Sequence, residues 1–207
     1  MNPTEGAMIE SLQDLRRIYP EPKPRALAKQ LDRLDVHCRR FIGLAPFLVL
    51  ATVGKDGRVD ASPRGGAPGF VKVIDEVTVH LPDSLGNNRL DSYANIVQTG
   101  RCGTIFLLPG MDETLRINGR AVLRNEPELL ASYQGQRHPP RVVVEIRVEE
   151  AYLHCAKALM RSQLWSEDNR IDRALFPSMG QMIKDQSGSQ EPVETRAQML
   201  ARYVNEL

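Results

Sequence analysis

Aromatic residues are scarce, at 5% of 207. Stacking platforms for single-stranded nucleic acid are correspondingly few. An excess of one charge is missing too: 27 Lys and Arg stand against 26 Asp and Glu, for a formal +1. No polycation is present to hold a duplex by counterion release, so nucleic acid is not an expected partner. Cysteine occurs three times without framework spacing, which excludes a disulfide scaffold and favours a reducing, cytoplasmic setting. Long apolar runs are also lacking. The longest, Leu44 to Val53, is broken by Pro46 and Thr52 and is too short to span a bilayer. The first residues carry acids and no apolar stretch, so no secretory signal is expected. What remains is 42% hydrophobic and 26% charged, an ordinary globular composition able to bury a core.

Along the chain the character changes twice. Residues 1–44 read as a helical extension. Thr4 to Ala7 can start a helix with Met8, Leu12 and Leu15 on one stripe, ended by Pro20, Pro22 and Pro24. A second helix is predicted over about 24–39, with Leu27, Leu31 and Leu34 inward. Residues 45–155 read as strands. Phe47 to Val53 is rich in strand formers, and Asp56-Gly57 supplies the turn that leads back through Arg58 to Ser62. Phe70 to Ile74 and Val77 to Leu81 form a second hairpin, and a helix fits Asn88 to Val97. Strands follow over Cys102 to Leu108, Thr114 to Leu123 and Arg141 to Cys155, with a short helix at Glu126 to Tyr133. Residues 156–207 return to helix and loop, with a terminal helix over Glu191 to Glu206, and are expected to pack on the strand domain. Six or seven mostly antiparallel strands suggest a small closed or split barrel. A doubly wound sheet is disfavoured, because no strand, GxGxxG and helix follow one another.

Four stretches offer chemistry. Ser62-Pro63-Arg64-Gly65-Gly66 places a planar cation among glycines that let backbone approach a ligand, or it is a surface loop with an incidental Arg. Gly86-Asn87-Asn88-Arg89-Leu90-Asp91-Ser92 leads from a strand into a helix start. That start is either an anion site or a plain N-cap, and an Arg in the first turn favours the anion. Thr114, Arg116 and Asn118 share one strand face, which lines a cleft or faces solvent. His154 to Trp165 gathers a His, a Cys, a Lys, an Arg and the single Trp, with Lys157 and Arg161 one helical turn apart. No CxxC, HxxxH, HExxH, G-x-S-x-G or Walker spacing occurs, so no metal site, triad or P-loop is expected.

In this order the four stretches resemble the pyridoxamine 5′-phosphate oxidase-related flavoproteins, from about Phe47 to Trp165. Asn87-Asn88-Arg89-Leu90-Asp91-Ser92 and Leu115-Arg116-Ile117-Asn118-Gly119-Arg120-Ala121 are the most specific parts. The resemblance implies a mainly β fold, a six-stranded antiparallel Greek-key split barrel with helical N- and C-terminal extensions. It implies a homodimer holding two FMN molecules in clefts at the subunit interface. By that resemblance Arg64 and Arg89 pair with the phosphate beside Gly65, while Asn87, Asn88 and Ser92 donate hydrogen bonds. Thr114 and Arg116 then reach the flavin ring or ribityl chain. Lys157, Arg161 and Trp165 come from the other subunit or close the substrate mouth. The implied function is an FMN-dependent oxidoreductase acting on a small molecule, with no side chain needed as nucleophile. The alternatives are a non-catalytic flavin- or haem-binding homodimer, or a deazaflavin such as F420 in place of FMN. Gly66 stands where an acid often follows Arg-Gly in the closest subgroup. The full set of substrate-phosphate residues of the true oxidases is lacking, so vitamin B6 oxidation is not implied.

Overall fold

The computed structural model describes residues 8–135 and 137–206. Its centre is one antiparallel sheet. β1 (Phe47–Val53) alternates, sending Leu48, Leu50 and Thr52 to the interior. The turn at Gly57, with φ +79°, brings back β2 (Val59–Gly65) with Leu48 opposite Arg64 and Thr52 opposite Asp60. β3 (Lys72–Val73), β4 (Thr78–Pro82), β5 (Arg101–Leu107), β6 (Thr114–Arg124) and β7 (Val143–His154) complete it, in the order β2-β1-β5-β6-β7-β4-β3.

Side chains directly opposite one another across paired strands share a face. One face, the inner one, carries Leu48, Leu50, Phe106, Leu115, Ile117 and Ile146, all buried. Two helices cover it. α3 (Val36–Leu44) contributes Cys38, Phe41 and Ile42, and α4 (Asp91–Thr99) contributes Ser92 and Ile96. Each large apolar side chain so buried is worth about 1.5–3 kcal/mol. β6 and β7 slip register between Asn118 and Gly119. A Cβ on Gly119 would overlap the Arg147 carbonyl, so the bulge depends on glycine there.

The sheet has seven strands rather than six. Among the described residues no pairing joins its β2 and β3 edges. The helix expected over about 24–39 is instead two: α2 (Pro24–Ala28) and α3. Between them Leu31 forms an isolated bridge, exchanging two hydrogen bonds with Ala151 of β7. Leu34 is buried as expected, but Leu27 is 60% exposed. The first helix is α1 (Leu12–Ile18), and its expected start at Thr4 to Ala7 lies outside the described residues. The short helix before β7 is α5 (Pro127–Ala131). The tail holds α6 (Lys157–Ser162), α7 (Met179–Ser187) and α8 (Arg196–Glu206), the last beginning five residues later than expected. Through Val204, no residue after Ala151 is buried.

Candidate functional site

The residues singled out by sequence fall into three places. The first is the edge of the inner face, where β2 meets α4. Asp60, Ser62 and Arg64 alternate along β2 and point to α4. The Arg64 guanidinium donates to Ser92 Oγ at 3.0 Å and to the Pro63 carbonyl at 2.8 Å. Ser92 Oγ donates onward to Asp60 Oδ2, which also accepts from Ser62 Oγ at 2.9 Å. Arg64 lies over the Tyr93 ring, 6.0 Å from its centroid. The Tyr93 phenol is pushed up by burial and by the Asp83 carboxylate, to which its hydroxyl donates a hydrogen bond at 2.9 Å. Asp60 is the residue that sequence reasoning missed. Its i, i+2, i+4 spacing with Ser62 and Arg64 on a strand is the signal that marks it.

The start of α4 differs from the expectation. Asn87, Asn88 and Arg89 precede the helix instead of forming its first turn. Asn88 and Leu90 take positive φ, 58° and 61°, so the loop turns sharply before Asp91. Arg89 therefore stands outside the first turn, and its presence in the sequence does not by itself call for a bound anion. Asp91 occupies that turn, where a carboxylate suits the helix dipole, and Arg89 pairs with it at 2.8 Å while 73% exposed. One feature does favour an anion. α1, α3, α7 and α8 begin with a side-chain oxygen accepting a first-turn amide, from Ser11, Asp35, Ser178 and Thr195. α4 has no such cap, as α2, α5 and α6 have none, and Arg64 bonds Ser92 in its first turn, so its leading N–H groups lie near that cation without a side-chain acceptor. Gly65 follows at the exposed end of β2. A Cβ on Gly66 would come 2.8 Å from Phe70 Cβ, which explains why no acidic side chain stands there.

The second place is the outer face of the sheet. Thr114 lies opposite His154 and Arg116 opposite Tyr152, both pairs facing away from the core. Arg116 stacks on the Tyr152 ring at 5.1 Å, and Lys29, just after α2, approaches the same ring at 5.3 Å. The third place begins where β7 ends. The chain leaves at His154, runs through α6 with Lys157 and Arg161 exposed, and returns at Trp165, whose Nε1 donates to the Met111 carbonyl at 3.0 Å. Trp165 there lines an apolar groove with Phe47, Leu107, Pro109 and Leu164.

Arg64 and Ser92 thus belong to the inner face, and Thr114 and Arg116 to the outer one. One chain does not bring these two sets together. Among the described residues no group of three His, Cys, Asp or Glu side chains is placed to hold a metal ion.

Residues 34–155 match the pyridoxamine 5′-phosphate oxidase family, more than half of the 207. The chain belongs to that family. Among solved structures this family member resembles HupZ of Group A Streptococcus, at 20% identity and TM-score 0.47, over 57% of this chain and 92% of that one. A Lactobacillus delbrueckii protein assigned as a pyridoxamine 5′-phosphate oxidase is similar at 19% identity and TM-score 0.48, over 60% and 98%. An F420 reductase is similar at 18% identity and TM-score 0.38, over 53% and 91%. At these values the likenesses say nothing of ligand or reaction. No curated protein matches the chain. No helix among the described residues is long and apolar enough to cross a membrane.

Proposed function

We propose that this family member binds FMN and is a flavin-dependent oxidoreductase acting on a small molecule. The observation that carries the reading is the pairing of the Arg64 guanidinium with the uncapped start of α4. That arrangement supplies fixed N–H donors and a planar cation for a phosphate. Asn87, Asn88 and Arg89 lie on the loop beside it and add donors and a second cation. Asp60 orients Ser92 and thereby Arg64, so the cation is aimed before any ligand arrives. When bound, the flavin supplies the electron or hydride transfer. The chain's own residues bind, orient and exclude water. No side chain is assigned a catalytic role.

The division of the site between two sheet faces supports a homodimer. The outer face of one copy, with Thr114 and Arg116, would meet the α4 end of the other, and Trp165 would close the substrate side. Within this reading β1, β2 and β4 to β7 are the six strands of the family's split barrel, and two-residue β3 is an addition to its edge.

The test is an absorbance spectrum after incubation with FMN and dialysis. Retained flavin is expected, and Arg64→Ala is expected to weaken binding by about tenfold or more, the loss of a bidentate charge-assisted contact. A protein that takes up no FMN overturns the reading. Unchanged affinity in Arg64→Ala removes that residue from the site.

A further inference from the structure

Lys29 lies outside the family match, which begins at residue 34. It is nevertheless fixed at the outer face. Its ammonium donates to the Leu153 carbonyl at 3.0 Å, and the two hydrogen bonds between Leu31 and Ala151 hold the segment behind it against β7. Lys29 and Arg116 therefore approach one ring, that of Tyr152, with no carboxylate paired to either among the described residues. Glu150, an acid on the same face of β7, accepts instead from Asn118 at 2.9 Å. His154, two residues along β7 and on the same face as Tyr152, registers the resulting field. Its imidazole is held below the ordinary value by burial first, and then by Lys29 and Arg116. No acid offsets them there, and its Nδ1 is buried without a partner. Thr114, itself buried, lies opposite it across the strand pair.

The apolar groove opens on the same outer face as this positive corner. Phe47 lies opposite Leu107 on the same outer face, and the chain that leaves at His154 comes back over the groove as Leu164 and Trp165. A cationic corner without counter-charge on one face with an aromatic-lined slot fits a ligand with a flat apolar body and an anionic end.

We propose that Lys29, with Arg116, forms an anion-recognising corner on the face of the Trp165 groove and selects an aromatic carboxylate, or a compound of that class, as the small-molecule substrate. The proposal rests on the flavin reading for the word substrate, but not for binding. Arg116 and Lys29 take the carboxylate, and Phe47, Leu107 and Trp165 take the ring. Lys29 is here a specificity residue supplied by the N-terminal extension.

Trp165 is the only tryptophan, so its emission reports on the groove directly. The experiment titrates the full chain with benzoate and with benzyl alcohol, its neutral counterpart, first without FMN and then with FMN added. Saturable quenching is expected with benzoate and much weaker quenching with benzyl alcohol. Lys29→Ala is expected to weaken benzoate by about fivefold, the scale of one partly exposed ion pair, while Lys29→Arg restores it. Lys55→Ala, at the distant β1–β2 turn, is the control for net charge. Equal affinity for the two probes, or benzoate affinity unchanged in Lys29→Ala, overturns the proposal. Loss of benzoate binding on adding FMN also overturns it, because the corner then holds flavin. Benzoate binding by a protein that takes up no FMN overturns the flavin reading alone and leaves the corner standing.

Discussion

At the scale of single residues, the three cysteines show how environment decides chemistry. Cys38 and Cys102 are buried, and burial is the main cause pushing both thiols up to about 12. Asp35 adds to the effect at Cys38 and Glu149 at Cys102. Cys155 is exposed after the end of β7. A thiolate is the reactive form, so a disulfide reagent at mildly alkaline pH should modify one thiol of the native protein and three after unfolding. Fast modification of more than one native thiol would contradict the packing around α3 and β5. The residues of the candidate site were legible to differing degrees. Arg64 and Ser92 were readable because the Gly-rich strand end and the strand-to-helix turn mark them. Asp60 and Lys29 were not. A lone aspartate on a strand and a lone lysine after a proline-rich stretch carry no local pattern, and only pairing across the fold gives them partners.

At the scale of elements, the strands were legible because alternation and hairpin turns are local properties. The helices were less so. Leu27, Leu31 and Leu34 have helical spacing, yet Leu31 bridges to Ala151, and a backbone bridge outweighs a weak periodic signal. The true start is marked by Asp35, whose carboxylate accepts from the Cys38 amide at 2.8 Å and caps α3. That bond is the largest cause lowering the Asp35 carboxyl below its ordinary value of 3.8. A depressed carboxyl contributes stability above its unfolded value and loses it as pH falls through the folded one. Asp35→Ala should therefore cost about 1 kcal/mol in urea unfolding at neutral pH. The difference from the parent should shrink as pH drops below 3.8. Asp35→Asn should keep most of the cap at both ends of that range. A loss in Asp35→Ala that does not depend on pH would show that the carboxylate is not the cap.

At the scale of the whole molecule, the two sheet faces are treated differently. The inner face is covered by α3 and α4, whereas on the outer face Leu164 and Trp165 reach only the Phe47 and Leu107 end of β1 and β5, and Ala51 and Ala61 stay exposed. Val59 there is 82% exposed. Ala61, Ala51 and Gly103 stand side by side on three adjacent strands, forming a row with no side chain larger than a methyl group. Such a row lets another backbone approach closely, and Pro63, Val49 and Ile105 extend the apolar surface beside it. A second copy on this face would also bring an outer-face Arg116 toward an inner-face Arg64, which one chain does not do. On the proposed reading, loss of the dimer therefore weakens the flavin site. Ala51→Arg puts a long cation at the centre of the row without touching the inner core. Light scattering coupled to gel filtration should give two chains for the parent and one for Ala51→Arg. FMN affinity should fall with the dimer, by about tenfold or more, because half of the contacts would be supplied in trans. An Ala51→Arg protein that remains dimeric would move the interface elsewhere. One that is monomeric yet binds FMN unchanged would place the whole flavin site within a single chain.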